Sequence, residues 1–167
     1  HAGLEELPPP GVPSPSSQSF PDIGLSVLRT APPQPPGGEV YTLLDHGPHG
    51  GGHGHPDKLA VSFHALGRVL APDTGTAGYG MAINASWYRQ TLSHNTVVVD
   101  RKSQAPATGK LVSFRGEGPV RHAVASAGEA YPGVDWTRGV FLADEGYLVI
   151  IDALASRPPE SGERPVP

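Results

Sequence analysis

The sequence contains no cysteine. That excludes disulfides and thiolate metal sites together, so any metal would have to rest on imidazole and carboxylate ligands. No apolar run approaches the roughly 20 residues that carry a helix across a bilayer, so no membrane span is expected. An excess of basic charge is also missing: 12 Lys and Arg stand against 16 Asp and Glu, for a net charge of −4. A surface of that balance does not hold nucleic acid non-specifically. The chain has no internal repeat of 20 to 50 residues. GGGHGH lacks the lysine and hydroxyl residue of a phosphate-binding loop, and no histidine pair brackets a glutamate as in a zinc-protease helix. The opening HAGLEELPPP is neither a signal peptide nor a natural-looking protein start.

Glycine and proline, by contrast, are abundant, at 22 and 20 of 167 residues. Their placement matters more than their number. Ten prolines fall in the first 36 residues and four in the last ten, leaving six between. This describes an ordered centre between proline-rich flanks. We therefore expect a linker over 1–19, a folded domain over 20–155 and a proline-rich tail over 156–167.

Within the centre, strand signals dominate. Leu25 to Arg29, Val40 to Leu44, Asn95 to Asp100, LVSF, VRHAVASA and the pair VFLA/YLVIIDA are short, alternating or β-branched runs. Asp144-Glu145-Gly146 separates the last pair and suits a hairpin loop. The segment KLAVSFHALGRVLAPD fits a helical stripe and a strand alternation equally. Gly67 would interrupt a helix, so two strands joined near Gly67-Arg68 are expected. A short helix is predicted only around Ala82 to Leu92. The expected class is all-β, with stacked antiparallel β-sheets.

Histidine carries the chemical signal. His46, His49, His53 and His55 lie within ten residues of glycine-rich chain, where few side chains obstruct the approach of a ligand. Three readings stand side by side: a solvated histidine-rich loop, a metal site, and a catalytic loop in which histidine moves protons or neutralises charge. Two later residues bear on the choice. Asp73 sits in a Pro-Asp-Thr-Gly turn and His94 directly precedes an apolar run. Each alone is an ordinary structural residue. With His55 they make two imidazoles and a carboxylate, a set that suits zinc. Tyr88 and Arg89, beside Trp87, are candidates for sugar stacking and carboxylate binding, with core packing the plainer role for the tryptophan.

The run HGPHGGGHGHPDKLAVSFHALGRVLAPDTGTAGYG, followed by WYRQTLSHNTVVVDRKSQ, resembles the heparinase II/III-like polysaccharide lyases, and most of all their oligo-alginate lyase branch. The G-H-x-H-x-D element, the P-D-x-G-T turn and Y-R-x-T-x-x-H-N-T-V-V-V-D occur in the family's order, and the likeness covers Phe20 to Ala153. It implies the sheet part of a larger enzyme in which an α/α-toroid precedes stacked antiparallel sheets, with the active site between them. His55, Asp73 and His94 match the positions that bind a structural zinc, and His53 matches the catalytic histidine of the sheet region. The family cleaves uronate-containing polysaccharides by β-elimination, using a tyrosine from the toroid. The expected partners are thus an acidic polysaccharide and the toroid domain, and the expected compartment is bacterial periplasm or exterior. Without the toroid the chain is expected to be inactive. Two rivals remain: a non-catalytic, metal-stabilised carbohydrate-binding or scaffolding β-module, and a stand-alone metal hydrolase.

Overall fold

A computed structural model describes residues 16–30 and 38–158. Two antiparallel sheets account for nearly all regular structure among them. The first has five strands in chain order: β1 (Gln18–Phe20), β2 (Leu25–Arg29), β3 (Tyr41–Asp45), β4 (Val61–Ala65) and β5 (Arg68–Ala71). The second has four: β6 (Lys110–Arg115), β7 (Val120–Ser126), β8 (Val134–Ala143) and β9 (Leu148–Ser156). The all-β reading holds, as two face-to-face antiparallel sheets.

Alternation fixes which face each strand turns inward. In β2 and β3, Ser26, Leu28, Thr42 and Leu44 are buried while their neighbours are half-exposed. In β7 and β8, Arg121, Ala123, Ala125, Trp136, Arg138, Val140 and Leu142 do the same. The period of two puts these residues on one face of each sheet. Those faces meet in one core of Leu28, Leu44, Val61, Ala123, Ala125, Trp136, Val140 and Leu142. The small alanines of β7 let the sheets approach, and the large side chains of the other strands fill the gap.

Arg138 ties the two layers. Its guanidinium is almost fully buried and holds Asp152 of β9 through Nε and Nη2, at 2.8 and 2.9 Å. Its Nη1 reaches the carbonyls of Leu59 and Asn95, at 2.6 and 3.0 Å, beside the first sheet.

β2 occupies the expected Leu25 to Arg29, and β3 is shifted one residue from Val40–Leu44. The ambiguous segment is indeed two strands; Leu66 and Gly67 both take positive φ, at 56° and 69°, and form the turn between them. Asn95 to Asp100 corrects the prediction. It is no strand, apart from a single bridge between Val99 and Lys102. Asp100 and Arg101 take φ of 52° and 59°, which turns the chain back before a ladder can form. The apolar run signals burial correctly: Val97 and Val99 pack on the core, and the Tyr131 hydroxyl donates to Val97 O and Lys102 O across the loop. The predicted helix over Ala82–Leu92 is found in its place, as short helical turns over 82–88 and 91–93. Residues 82–83 open it as α-helix, Asn84–Tyr88 continue as a π-helical turn, and a 3-10 turn, Thr91–Ser93, follows. The stretch expected as linker and tail falls mostly outside the described residues; Gln18 and Ser19 at one end, and Ser156 at the other, are in strands.

Candidate active site

The irregular segments that leave the first sheet gather at one end of it. Between β3 and β4 runs the histidine-rich loop, and after β5 runs the long connection that carries Asp73, the π turn and His94. They wall a cleft of about 370 Å³ lined by His49, His53, His55, Lys58, Tyr79 and Arg89, with Asp45, Asp57, Thr76 and Asn84 among the other lining groups.

The loop's path depends on glycine. A Cβ on Gly54 would lie 1.4 Å from the His49 carbonyl oxygen, so no other residue fits between His53 and His55. The four histidines of the run part ways. His46 turns inward, where its Nε2 meets Ser26 Oγ at 2.9 Å and burial lowers its pKa. His49, His53 and His55 line the cleft. His53 ends a 3-10 turn, Gly51–His53, and its Nδ1 is hydrogen-bonded to the Tyr79 hydroxyl, the rings meeting edge-on.

His55 faces His94, with ring centroids 5.2 Å apart. The His94 side chain is wholly buried. Its Nε2 donates to the Tyr88 carbonyl at 3.1 Å, and its Nδ1 lies 2.8 Å from Asp73 Oδ2. Because carbonyl and carboxylate oxygens only accept, both ring nitrogens donate in this arrangement, and Nδ1 would give up its proton to take a cation. Burial works against charge on His94, but the Asp73 carboxylate outweighs it and its pKa is raised. His55 moves the other way: burial lowers its pKa and neighbouring His94 adds to the effect. The His94 hydrogen bond, in turn, holds Asp73 below the usual carboxylate range.

Of the expected metal set, then, Asp73 and His94 are in contact and His55 stands beside them. One carboxylate was not foreseen. His55, Asp57 and His94 offer ligand atoms that all lie within 4.8 Å of one another. Asp57 closes the G-H-x-H-x-D element, so the sequence itself carries its signal. Burial raises its pKa, against the pull of Lys58, whose ammonium lies 3.3 Å from Asp57 Oδ1 and 3.2 Å from Asp45 Oδ2. Lys58 is 2% exposed, a buried cation made tolerable by two carboxylates. Tyr79 was likewise missed, and nothing in an exposed Gly-Tyr-Gly loop announces it. Of the two expected substrate contacts, Arg89 lines the cleft and donates from Nη2 to Gly54 O at 3.1 Å. Tyr88 is not among the lining residues; its carbonyl serves His94.

The sequence model described as "Heparinase II/III-like, C-terminal" matches residues 12–161. The chain belongs to the heparinase II/III-like family. Among curated relatives of this heparinase II/III-like chain, an alginate lyase of Stenotrophomonas maltophilia is 35% identical over 63% of the chain. A heparin-sulfate lyase of Bacteroides stercoris is 31% identical over 67% of it. In both cases the chain spans only 17% of the relative's length. A solved heparinase III gene product superposes with a TM-score of 0.76 at 28% identity, over 87% of this chain and 23% of that one.

Proposed function

We propose that this chain is the sheet portion of a polysaccharide lyase that cleaves uronate-containing glycans by β-elimination, with alginate or oligo-alginate as the favoured substrate. The observation that carries the reading is His53, set on a glycine-rich turn in a cleft that also holds Arg89 and Tyr79. The names of the relatives, alginate lyase and heparin-sulfate lyase, point to the same reaction class.

The residues suit that chemistry. Elimination begins with loss of the proton next to the uronate carboxylate, and charge then develops on that carboxylate. Positive or hydrogen-donating groups placed there lower the barrier. Arg89 supplies such charge in the cleft wall, and His53 can donate to the carboxylate or relay a proton. With Nδ1 engaged by Tyr79, His53 has Nε2 as its second working nitrogen. The base that removes the proton is expected on the facing wall, supplied by sequence outside these residues.

A zinc ion fits the group beside the cleft. Two imidazoles and neighbouring carboxylates are zinc ligands, and a ligating histidine commonly gives its second N–H to a backbone carbonyl, as His94 does to Tyr88. His55, Asp73 and His94 would hold the ion, with Asp57 close by. Bound there, zinc would cross-link the loop after β3 to the connection after β5. Its role is then structural.

The test is formation of unsaturated product, followed by ultraviolet absorbance on oligo-uronates. The full-length gene product should show it, His53→Ala should lower turnover by about 10²–10⁴-fold, and the 167-residue chain alone should show none. Binding of oligo-uronates without turnover by the full-length protein would favour a binding module instead. Vigorous turnover by the isolated chain would defeat the placement of the base.

A further inference from the structure

The π turn and the 3-10 turn that follow Asp73 make a second set of contacts with the histidine loop. Arg89 Nη2 donates to the carbonyl of Gly54 at 3.1 Å, and Thr91 Oγ1 donates to the carbonyl of Pro56 at 2.7 Å. Gly54 and Pro56 are the residues on either side of His55. Thr91 is fully buried, and its hydroxyl both donates and accepts: it also takes the Gln104 N–H at 2.8 Å. Its own N–H goes to Ser103 Oγ at 3.2 Å. The spacing is what makes this work. Tyr88 O takes His94, Arg89 takes Gly54 and Thr91 takes Pro56, so one stretch of four residues grips the backbone before and after His55 and the ring of His94.

We infer that Arg89 and Thr91 form a clasp across His55, and that Thr91 is a positioning residue which aims His55 toward His94 and His53 into the cleft. This rests on the functional reading above for what the aimed histidines do, but not for whether they are aimed. Three alternatives lose ground on the same observations. Thr91 does not line the cleft, so it is no substrate contact. It accepts and donates within the protein, so it is no nucleophile. Nor does apolar packing alone account for it, since its hydroxyl links Pro56 O to Gln104 N–H.

The variant that isolates the clasp is Thr91→Val, equal in shape and without the hydroxyl; Thr91→Ser restores the hydroxyl. Val140→Ala, in the core between the sheets, is the control for lost stability alone. Histidine-ring NMR on the metal-free full chain reads the aim directly. Thr91→Val should shift the His55 and His53 ring resonances, while Thr91→Ser and Val140→Ala leave them near wild type. Zinc competition against a chromophoric chelator reads the consequence: affinity should fall about 10–100-fold in Thr91→Val, and stay within about twofold in the other two. An unmoved His55 ring in Thr91→Val would overturn the clasp, and so would an equal loss of affinity in Val140→Ala. Failure of the wild-type chain to take up zinc would instead remove the metal reading, with the ring resonances still deciding for or against the clasp.

Discussion

The two halves of this structure hold themselves together by different means. The four-stranded sheet is built of long, regular hairpins: β7, β8 and β9 have seven, ten and nine residues, paired in continuous register. Backbone ladders satisfy its polar groups, and apolar burial stabilises it. The loops at the end of the five-stranded sheet have almost no ladder. Local turn hydrogen bonds satisfy part of their backbone, and side chains hold other parts of it: Gln104 accepts from Lys58 N–H and donates to its carbonyl, Thr96 donates to that same carbonyl, and Arg89 and Thr91 hold Gly54 and Pro56. The lesson concerns where substitutions are felt. A ladder shares its load among many equivalent bonds, whereas each side-chain bond in the loops fixes one particular group. Changes in the sheet should cost stability, and changes in the loops should cost geometry.

The sharpest test of that contrast is Arg138, the residue that belongs to both halves. Arg138→Met takes away the cation of Asp152, leaving it Trp136 alone, and removes the side-chain donor of Leu59 O and Asn95 O. Asp152 still reaches water, so the cost lies mainly in the buried acceptor left without its donor, about 1–3 kcal/mol, and urea unfolding should show a loss of that size. A loss under about 1 kcal/mol would mean that the sheets do not depend on this link. Next in size is Gly54→Ala. The added methyl meets the His49 carbonyl, so the loop must move. Zinc affinity should fall at least about tenfold, while the melting temperature of the metal-free chain drops less than in Arg138→Met. Equal stability losses in the two variants would erase the distinction between the halves.

Acid titration probes the sheet side. Burial alone would raise the pKa of Asp152, but hydrogen bonds from Arg138 and Trp136 outweigh it and leave the carboxyl below its ordinary value. A depressed carboxyl contributes stability that is fully present above the unfolded-state pKa, about 3.9 for aspartate. That contribution is lost as pH falls through the folded-state value. Stability should therefore decline on acidification below about pH 4–5. In Asp152→Asn the protein starts less stable, but this part of the acid slope is absent. An unchanged slope would show that Asp152 is not one of the carboxylates that drive acid unfolding.

The same contrast explains which features the sequence disclosed. Strands of the ladder type announce themselves, because alternation and β-branching are caused by the burial they report. Leu25 to Arg29 is the plainest example. The loop region follows other rules. Asn95 to Asp100 has a strand's composition, yet its carbonyls accept from Val61, Arg138 and Tyr131 outside any ladder of its own. Composition registers that valines are buried, not what their backbone pairs with. Likewise β8 begins at Val134, well before the expected VFLA, because Asp135 and Arg138 mask its alternation. Among candidate site residues, His53, His55, Asp73 and His94 are singled out by motifs in the sequence, and the fold brings them to one end of the first sheet. Asp57 was present in the same motif and passed over. Tyr79 and Thr91 were not legible, since their roles arise from contacts across 26 and 35 residues that no local pattern encodes.

The smallest effect is expected at the free edge of the ladder. β9 is the last strand of its sheet, and Ile151 lies opposite Gly139 with 55% of its surface exposed. Phe141 and Val124 side chains crowd the space over Gly139, so Ile151 has little left to pack against directly across the ladder. Ile151→Thr keeps the β-branch that favours a strand and removes apolar surface that water already reaches. Stability should change by no more than about 0.5 kcal/mol, as for most surface substitutions, and neither zinc affinity nor the His55 ring resonances should move. A loss beyond about 1 kcal/mol would place this face of β9 among the buried ones, and would mean that the regular half of the fold extends past the edge it shows here.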